Sequence, residues 1–311
     1  MKNKDLLSIN DLSEIDLNLL LADAVELKTR GWLGRLSGKS MALLFEKPSL
    51  RTRVSFELAM KQLGGETIYL SPAEVGLGKR EAVADVARVL DRFVDILVVR
   101  TFSHQTLEEL AACCSIPVIN ALSDAEHPCQ ALGDLLTIYE LKGELKGLKL
   151  AYIGDGNNVA ASLMLACTLA GVNFSIASPP GYELNEMVLS RSSANAAHSG
   201  STIYCTNNPE SAVRNADVVY TDTWVSMGQE DDNEKRQAAF SGFQVNSALM
   251  RHAREDAIFM HCLPAHRGQE VTDEVMESVA SVIFDQAENR LHAQKAVIAQ
   301  MLGGLELHSC R

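Results

Sequence analysis

Ser49, Arg51 and Thr52 set hydroxyl, guanidinium and hydroxyl within four residues of the run Phe45-Glu46-Lys47-Pro48-Ser49-Leu50-Arg51-Thr52-Arg53. A short apolar run, Met41 to Phe45, precedes this group, and a helical pattern from about Arg51 to Leu63 follows it. The group therefore falls at a helix N-terminus, where the first backbone N–H groups lack intrahelical partners and the positive end of the helix dipole collects. Hydroxyls, an arginine and open N–H groups together suit a phosphate. The same residues could equally be a serine cap with an Arg53–Glu57 pair on a solvated face.

Further groups stand where other strand patterns end. His127-Pro128-Cys129-Gln130 opens a helix, with proline at the first position, where its missing N–H is no loss. His127 and Gln130 could face one ligand, and Arg100, at the end of the pattern Asp95–Val99, could converge with them; a lone histidine there could also be a cap. Gly154-Asp155-Gly156-Asn157-Asn158-Val159 follows a strand but has Val159 at the third glycine of the dinucleotide fingerprint. Its paired asparagines suit a polar substrate, or simply a tight turn. Asp222-Thr223-Trp224-Val225-Ser226-Met227-Gly228 puts a carboxylate near hydroxyls, which suits an α-ammonium group; with Asp231, Asp232 and Glu234 it also reads as a flexible acidic loop. In His261-Cys262-Leu263-Pro264, Cys262 is either a buried core thiol or a substrate contact. Gly78-Lys79 has Ala73 and Arg80 where a P-loop needs glycine and a hydroxyl residue, and His261, Cys262 and His266 form no recognised metal set.

Positioning these groups falls to an alternation of elements. Asp11 to Lys28 carries Leu12, Ile15, Leu19, Ala22 and Leu27 near helical spacing, with Ser13 as a cap. Beyond the first strand and helix, the pattern predicts strands at Thr67–Leu70, Asp95–Val99 and Pro117–Asn120, and helices at Glu81–Arg92, Gln105–Cys113 and Pro128–Leu141. Lys142–Lys149 reads as a linker. A second series has strands at Lys149–Ile153, Asn173–Ala177, Thr202–Cys205, Asp217–Thr221, Ile258–His261 and Val282–Phe284, with helices at Asn158–Ala170 and Ala287–Leu302. Repeated strand and helix units imply parallel sheets covered on both faces. The expected fold class is α/β: two similar doubly wound parallel-sheet domains linked by crossing helices, over 1–141 and 148–286, with the C-terminal helix region 287–311 packing back on the first. Such sheets bind ligands beyond the carboxyl ends of their strands, where these groups stand.

Composition narrows the function classes. A chain of 311 residues exceeds one minimal core and suits two domains of about 150 residues. The formal net charge of -12 argues against general nucleic-acid binding, which needs a basic surface to displace counterions. No apolar run reaches signal-peptide or membrane-spanning length, so a cytosolic location and no membrane partner are expected. Seven cysteines, without zinc spacing, read as reduced thiols.

Taken in order, these motifs resemble the aspartate/ornithine carbamoyltransferase family along nearly the whole chain, on its ornithine-using branch. Ser49-Leu50-Arg51-Thr52-Arg53 is similar to the family's Ser-Thr-Arg-Thr-Arg carbamoyl-phosphate motif, with Leu50 in place of a threonine and its backbone N–H still available. His127-Pro128-Cys129-Gln130 matches the motif at the carbamoyl end, Arg100 falls at the family's arginine, and Arg290 resembles its late contact to carbamoyl phosphate. Asp222, Ser226 and Met227 match the ornithine loop, Asn158 the ornithine-contacting asparagine, and His261-Cys262-Leu263-Pro264 the second-domain signature. Gly76 stands where many members carry a glutamine that reaches a neighbouring subunit, so that contact is not carried over. The resemblance implies a carbamoyl-phosphate-binding first domain, an ornithine-binding second domain, and transfer of the carbamoyl group to the δ-amine within arginine metabolism. It also implies catalytic roles for Arg51, Arg100, His127 and Cys262, carbamoyl-phosphate contacts from Cys262 and Leu263 besides those named, and a homotrimer or multiple of trimers. No metal or organic cofactor is expected. Transfer to a related amine such as putrescine or an acylated ornithine, or a non-catalytic Rossmann-type binding module, remain open alternatives.

Overall fold

The computed structural model describes residues 1, 4–30, 34–78, 80–225 and 232–303. Cα packing divides the chain into two compact units: unit 1 is Met1–Leu136 with the chain from Asn289 onward, and unit 2 is Thr137–Glu288. No helix among the described residues is long and apolar enough to cross a membrane.

Unit 1 opens with a short 3-10 turn at Ile9–Asp11, capped by Ser8, and continues through α1 (Glu14–Arg30), β1 (Ser40–Phe45), α2 (Leu50–Gln62), β2 (Glu66–Leu70) and α3 (Pro72–Val75). It then runs through α4 (Val83–Leu90), β3 (Ile96–Arg100), α5 (His104–Cys113), β4 (Val118–Leu122) and the start of α6 (Pro128–Lys142). The strands form a parallel sheet in the order β2-β1-β3-β4. Every residue of β3 is buried, as a parallel strand covered on both faces requires. Leu44, Leu97 and Val99 meet Leu107 and Leu110 of α5 in one apolar cluster. Helix α2 lies on the sheet because Phe56, Ala59 and Met60, at helical spacing, are buried.

Unit 2 runs through β5 (Lys149–Ile153), α7 (Asn158–Leu169), β6 (Asn173–Ala177), α8 (Glu186–Ser199), β7 (Ile203–Thr206), α9 (Pro209–Val213) and β8 (Val218–Thr221). It continues with α10 (Asn233–Phe240), α11 (Ser247–Met250), β9 (Ile258–His261), α12 (Asp273–Met276) and the start of α13 (Ile283–Met301). Its parallel sheet has the order β7-β6-β5-β8-β9. Both sheets therefore reverse winding direction beside their first strand, between β1 and β3 and between β5 and β8. A crevice opens at such a point, beyond the strand ends.

One sequence expectation is corrected. Val282–Phe284 is not a strand: Ser281 makes a single parallel bridge to Phe259, Val282 donates to the Phe259 carbonyl at 3.0 Å, and α13 begins at Ile283. The Val282 carbonyl already accepts from Gln286, so the helix claims this segment before a ladder can form. Helix α8 also escaped the sequence reading, because its buried face is Val188, Ser192 and Ala196 rather than an apolar stripe. The described cysteines are free thiols.

Candidate functional site

The β1–β3 switch point gathers the first group. Ser49 is the N-cap of α2, its Oγ accepting from the Thr52 N–H at 3.4 Å. Ser49 Oγ also donates to Thr52 Oγ1 at 3.0 Å, and Arg290 Nη2 donates to the same oxygen at 2.8 Å. With both lone pairs of Thr52 used, its remaining capacity is the O–H donor. Arg100, the last residue of β3, is held to β1 by the Glu46 N–H, which donates to its carbonyl at 2.7 Å. The Glu46 carboxylate accepts from Thr101 Oγ1 and, at 3.1 Å, from the Phe102 N–H, fixing the exit of β3. Arg53 is elsewhere: it pairs with Glu57 at 2.9 Å and covers the Tyr69 ring at 3.8 Å, the bland outcome the sequence allowed.

Charge is concentrated here. Burial, then Arg290 and Arg51, push the Arg100 guanidinium down to about 10, so both arginines lie within electrostatic reach of Arg100. Neither Arg51 nor Arg100 pairs with a carboxylate among the described residues. A fourth cation, Lys47, sits 4.7 Å over the Phe102 ring; burial and Arg100 lower its ammonium pKa. Sequence reading passed over Lys47 because it precedes a proline rather than lying on the helix. Such a cluster is relieved by an anion.

His127 is buried, and burial, Arg290, Arg100 and Lys47 hold it well below the ordinary imidazole range, so it is neutral. Gln130, in the first turn of α6, gives its Nε2 to Asp134 at 2.8 Å. The His127 shift has a measurable consequence. The unfolded imidazole titrates near 6.5, and the folded one lower, so the unfolded state binds more protons in between. Stability is complete above that pH and is lost as pH falls from about 6.5 toward the folded value. Thermal unfolding from about pH 7 to pH 5 should show a shallower decline for His127→Asn than for the native chain.

Gly133, on α6, is a positioning residue that no motif revealed. A Cβ there would stand 3.2 Å from the Cα, the Cγ and the N of Arg290, so the glycine admits α13 at backbone contact. Gly133→Ala is expected to cost about 1–3 kcal/mol through overpacking. Urea unfolding would show a lower midpoint, accompanied by weaker phosphate binding as Arg290 is displaced from Thr52.

In unit 2, the β5–β8 switch point gathers the second group. Asn157 caps α7, its Oδ1 accepting from Val159 and Ala160 N–H at 3.0 Å each, and Asn158 opens the helix half-buried. Asp222, just beyond β8, is buried. Its Oδ2 accepts from Asn157 Nδ2 at 2.9 Å, and its Oδ1 from the Cys262 thiol at 3.0 Å. Asp155 is buried against Arg236 at 2.7 Å; burial raises its carboxyl pKa and Arg236 opposes the rise. Arg236 also donates to the Trp224 carbonyl at 2.8 Å, a tie the sequence concealed because the partners are distant in the chain. The glycine turn is packed against the loop before α8: Tyr182 O accepts the Gly156 N–H at 2.8 Å, and Leu184 N lies 2.4 Å from where a Gly156 Cβ would stand, so this N–H is not available to a phosphate.

Residues 4–140 match the model of the aspartate/ornithine carbamoyltransferase carbamoyl-P binding domain, and residues 146–301 that of the Asp/Orn binding domain. The chain belongs to the aspartate/ornithine carbamoyltransferase family. It is 54% identical to the ornithine carbamoyltransferase of Anoxybacillus flavithermus over 97% of this chain and 98% of that protein. It is 50% identical to the anabolic ornithine carbamoyltransferase of Pyrococcus furiosus over 98% of each. The solved structure of the ornithine carbamoyltransferase from Pyrococcus furiosus is similar with a TM-score of 0.94, covering 98% of this chain and 99% of that one. Against that family's pattern, Gly76 is the left-handed C-cap of α3 at φ 52, a conformation in which a glutamine would be strained. Ser226 and Met227 of the family's ornithine loop lie outside the described residues. Asp222, His261 and Cys262 offer ligand atoms within 4.8 Å of one another, yet His261 has no nitrogen to spare. Its Nδ1 accepts from the Leu263 N–H at 2.9 Å and its Nε2 donates to Glu270 at 3.2 Å, which shapes the turn carrying Cys262 and Leu263.

Proposed function

We propose that the chain transfers the carbamoyl group of carbamoyl phosphate to the δ-amine of L-ornithine, giving L-citrulline and phosphate. The observation that carries this reading is that Arg290 bonds Thr52 at the start of α2 and, with Arg51, acts on Arg100; Arg51 and Arg100 lie in the segment matched by the carbamoyl-P binding model, and Arg290 belongs to the same compact unit. Ser49, the Leu50 and Arg51 N–H groups, the Arg51 guanidinium, Thr52 and Arg290 hold the phosphate. Arg100, neutral His127 and the Thr52 O–H polarise the carbonyl and Gln130 bounds the carbamoyl end; Cys262 and Leu263 are assigned to carbamoyl phosphate by their match to the family signature alone. Asp222 anchors the α-ammonium of ornithine and Asn158 its α-carboxylate; Ser226 and Met227 complete the set by their match to the family loop.

Carbamoyl phosphate is an activated mixed anhydride, so positioning and charge stabilisation suffice and no covalent enzyme intermediate is needed. The δ-ammonium first loses a proton to solvent water as ornithine enters the site, which nearby cations favour. The amine nitrogen then bonds to the carbonyl carbon, the oxyanion forms against Arg100 and His127, and the carbon–oxygen bond to phosphate breaks. Phosphate leaves with the electron pair and takes the surplus amine proton. Cys262 donates its own proton to Asp222, so it orients rather than acts as a base.

The same reading assigns unit 1 to carbamoyl phosphate and unit 2 to ornithine, in arginine biosynthesis and in the cytosol, where free thiols stay reduced. A trimeric assembly is part of it. Leu50, Val54 and Leu58 line one face of α2 at 77, 43 and 41% exposure, beside the edge strand β2, and such an apolar stripe suits a second copy. Sedimentation as a species of the single-chain mass, 33.9 kDa, would remove the trimer. The deciding experiment supplies carbamoyl phosphate with ornithine, putrescine or N-acetylornithine and assays each ureido product. Citrulline should form fastest by far; no product, or faster carbamoylation of another amine, overturns the reading.

A further inference from the structure

Asn157 precedes the asparagine that matches the family motif, and it does two things at once. Its Oδ1 is taken by the N–H groups of Val159 and Ala160 and lies 3.4 Å from the Tyr152 hydroxyl. A flipped amide would set its NH2 against those two backbone donors, so the orientation is settled and Nδ2 must face Asp222. The Asp222 carboxylate is thereby gripped from both sides, by Asn157 Nδ2 on one oxygen and the Cys262 thiol on the other. An ionised carboxylate has about four acceptor positions, so those left over point in a fixed direction. Tyr152 closes the base of this arrangement: it is fully buried and stacks on Tyr220 across the β5–β8 ladder at 5.6 Å.

We propose that Asn157 is a positioning residue for amino-acid recognition: by donating to Asp222 it aims that carboxylate at the α-ammonium. Asparagine caps α7 through Oδ1 and donates through a separate atom, Nδ2; a serine Oγ seated as the cap leaves no second polar atom to reach Asp222, and an ionised aspartate has no donor. The proposal rests on the reading of Asp222 as the α-ammonium anchor, and the experiment separates the two.

Asn157→Ser keeps a cap of nearly equal strength and removes the donor. Steady-state kinetics in both substrates should show the ornithine KM raised about tenfold, with the carbamoyl phosphate KM and the melting temperature close to native. A purely structural cap would not raise one KM without the other. Asp222→Asn is the control. If it raises the ornithine KM while Asn157→Ser leaves that KM native, Asn157 is only a cap and the proposal is overturned. If Asp222→Asn itself leaves ornithine binding native, the anchor reading fails and the proposal with it.

Discussion

Arg51→Ala should lower kcat/KM for carbamoyl phosphate by about three orders of magnitude, the upper end of what losing one preorganised donor to a developing charge costs. Arg51 is expendable for the fold but not for an anion. It has no carboxylate partner among the described residues, and its charge helps depress the Arg100 guanidinium, so the two cations repel each other. Removing Arg51 relieves part of that repulsion, and the melting temperature without ligand should stay level or rise. Phosphate, which stabilises a protein whose native state alone binds it, should lose most of its protective effect on the variant. Arg51→Lys separates charge from shape: it keeps the point charge and loses the planar fork that meets two phosphate oxygens together, so its turnover should fall between the two. Near-native transfer by Arg51→Ala would remove the phosphate assignment.

The opposing tendencies in that pocket explain what could be read in the chain beforehand. Ser49, Arg51 and Thr52 are adjacent, and a hydroxyl–guanidinium–hydroxyl run after an apolar strand signals its chemistry locally. The parallel sheets were equally legible, since buried strands such as β3 and β5 are short apolar runs with helices between them. Arg100 and His127 were visible as polar residues at strand ends. The residues that aim these groups were not. Gly133 acts through what it lacks, and only the approach of Arg290, far along the chain, gives the missing Cβ a meaning. Arg236 meets Asp155 and Trp224 through tertiary packing alone. Asn157 was seen as half of an asparagine pair, but its division between helix cap and carboxylate donor needed the β8 end brought beside the β5 end. Val282–Phe284 failed for a local reason, since an apolar triplet does not declare whether a ladder or a helix will take its backbone groups.

Asp222→Ala should raise the ornithine KM by about two orders of magnitude or more and leave the carbamoyl phosphate KM within about threefold, because a buried charge-assisted hydrogen bond is lost on one substrate only. The size of the effect follows from the surroundings. Asp222 is buried, so its attraction for an ammonium is screened less than at the surface. Two donors, Asn157 Nδ2 and the Cys262 thiol, are spent on holding it. Alanine removes the acceptor that both of these bonds share, so part of the loss comes from the site itself, and the melting temperature should drop modestly. Asp222→Asn retains the volume while losing the charge, and comparing the two variants separates that structural cost from the charge recognised by the substrate. An amine lacking the α-ammonium gives an internal check: as a slow alternative substrate, putrescine should suffer far less from either variant than ornithine does. Equal losses for both amines, or equal rises in both KM values, would mean that Asp222 supports the site as a whole and that the assignment of the α-ammonium to unit 2 is wrong.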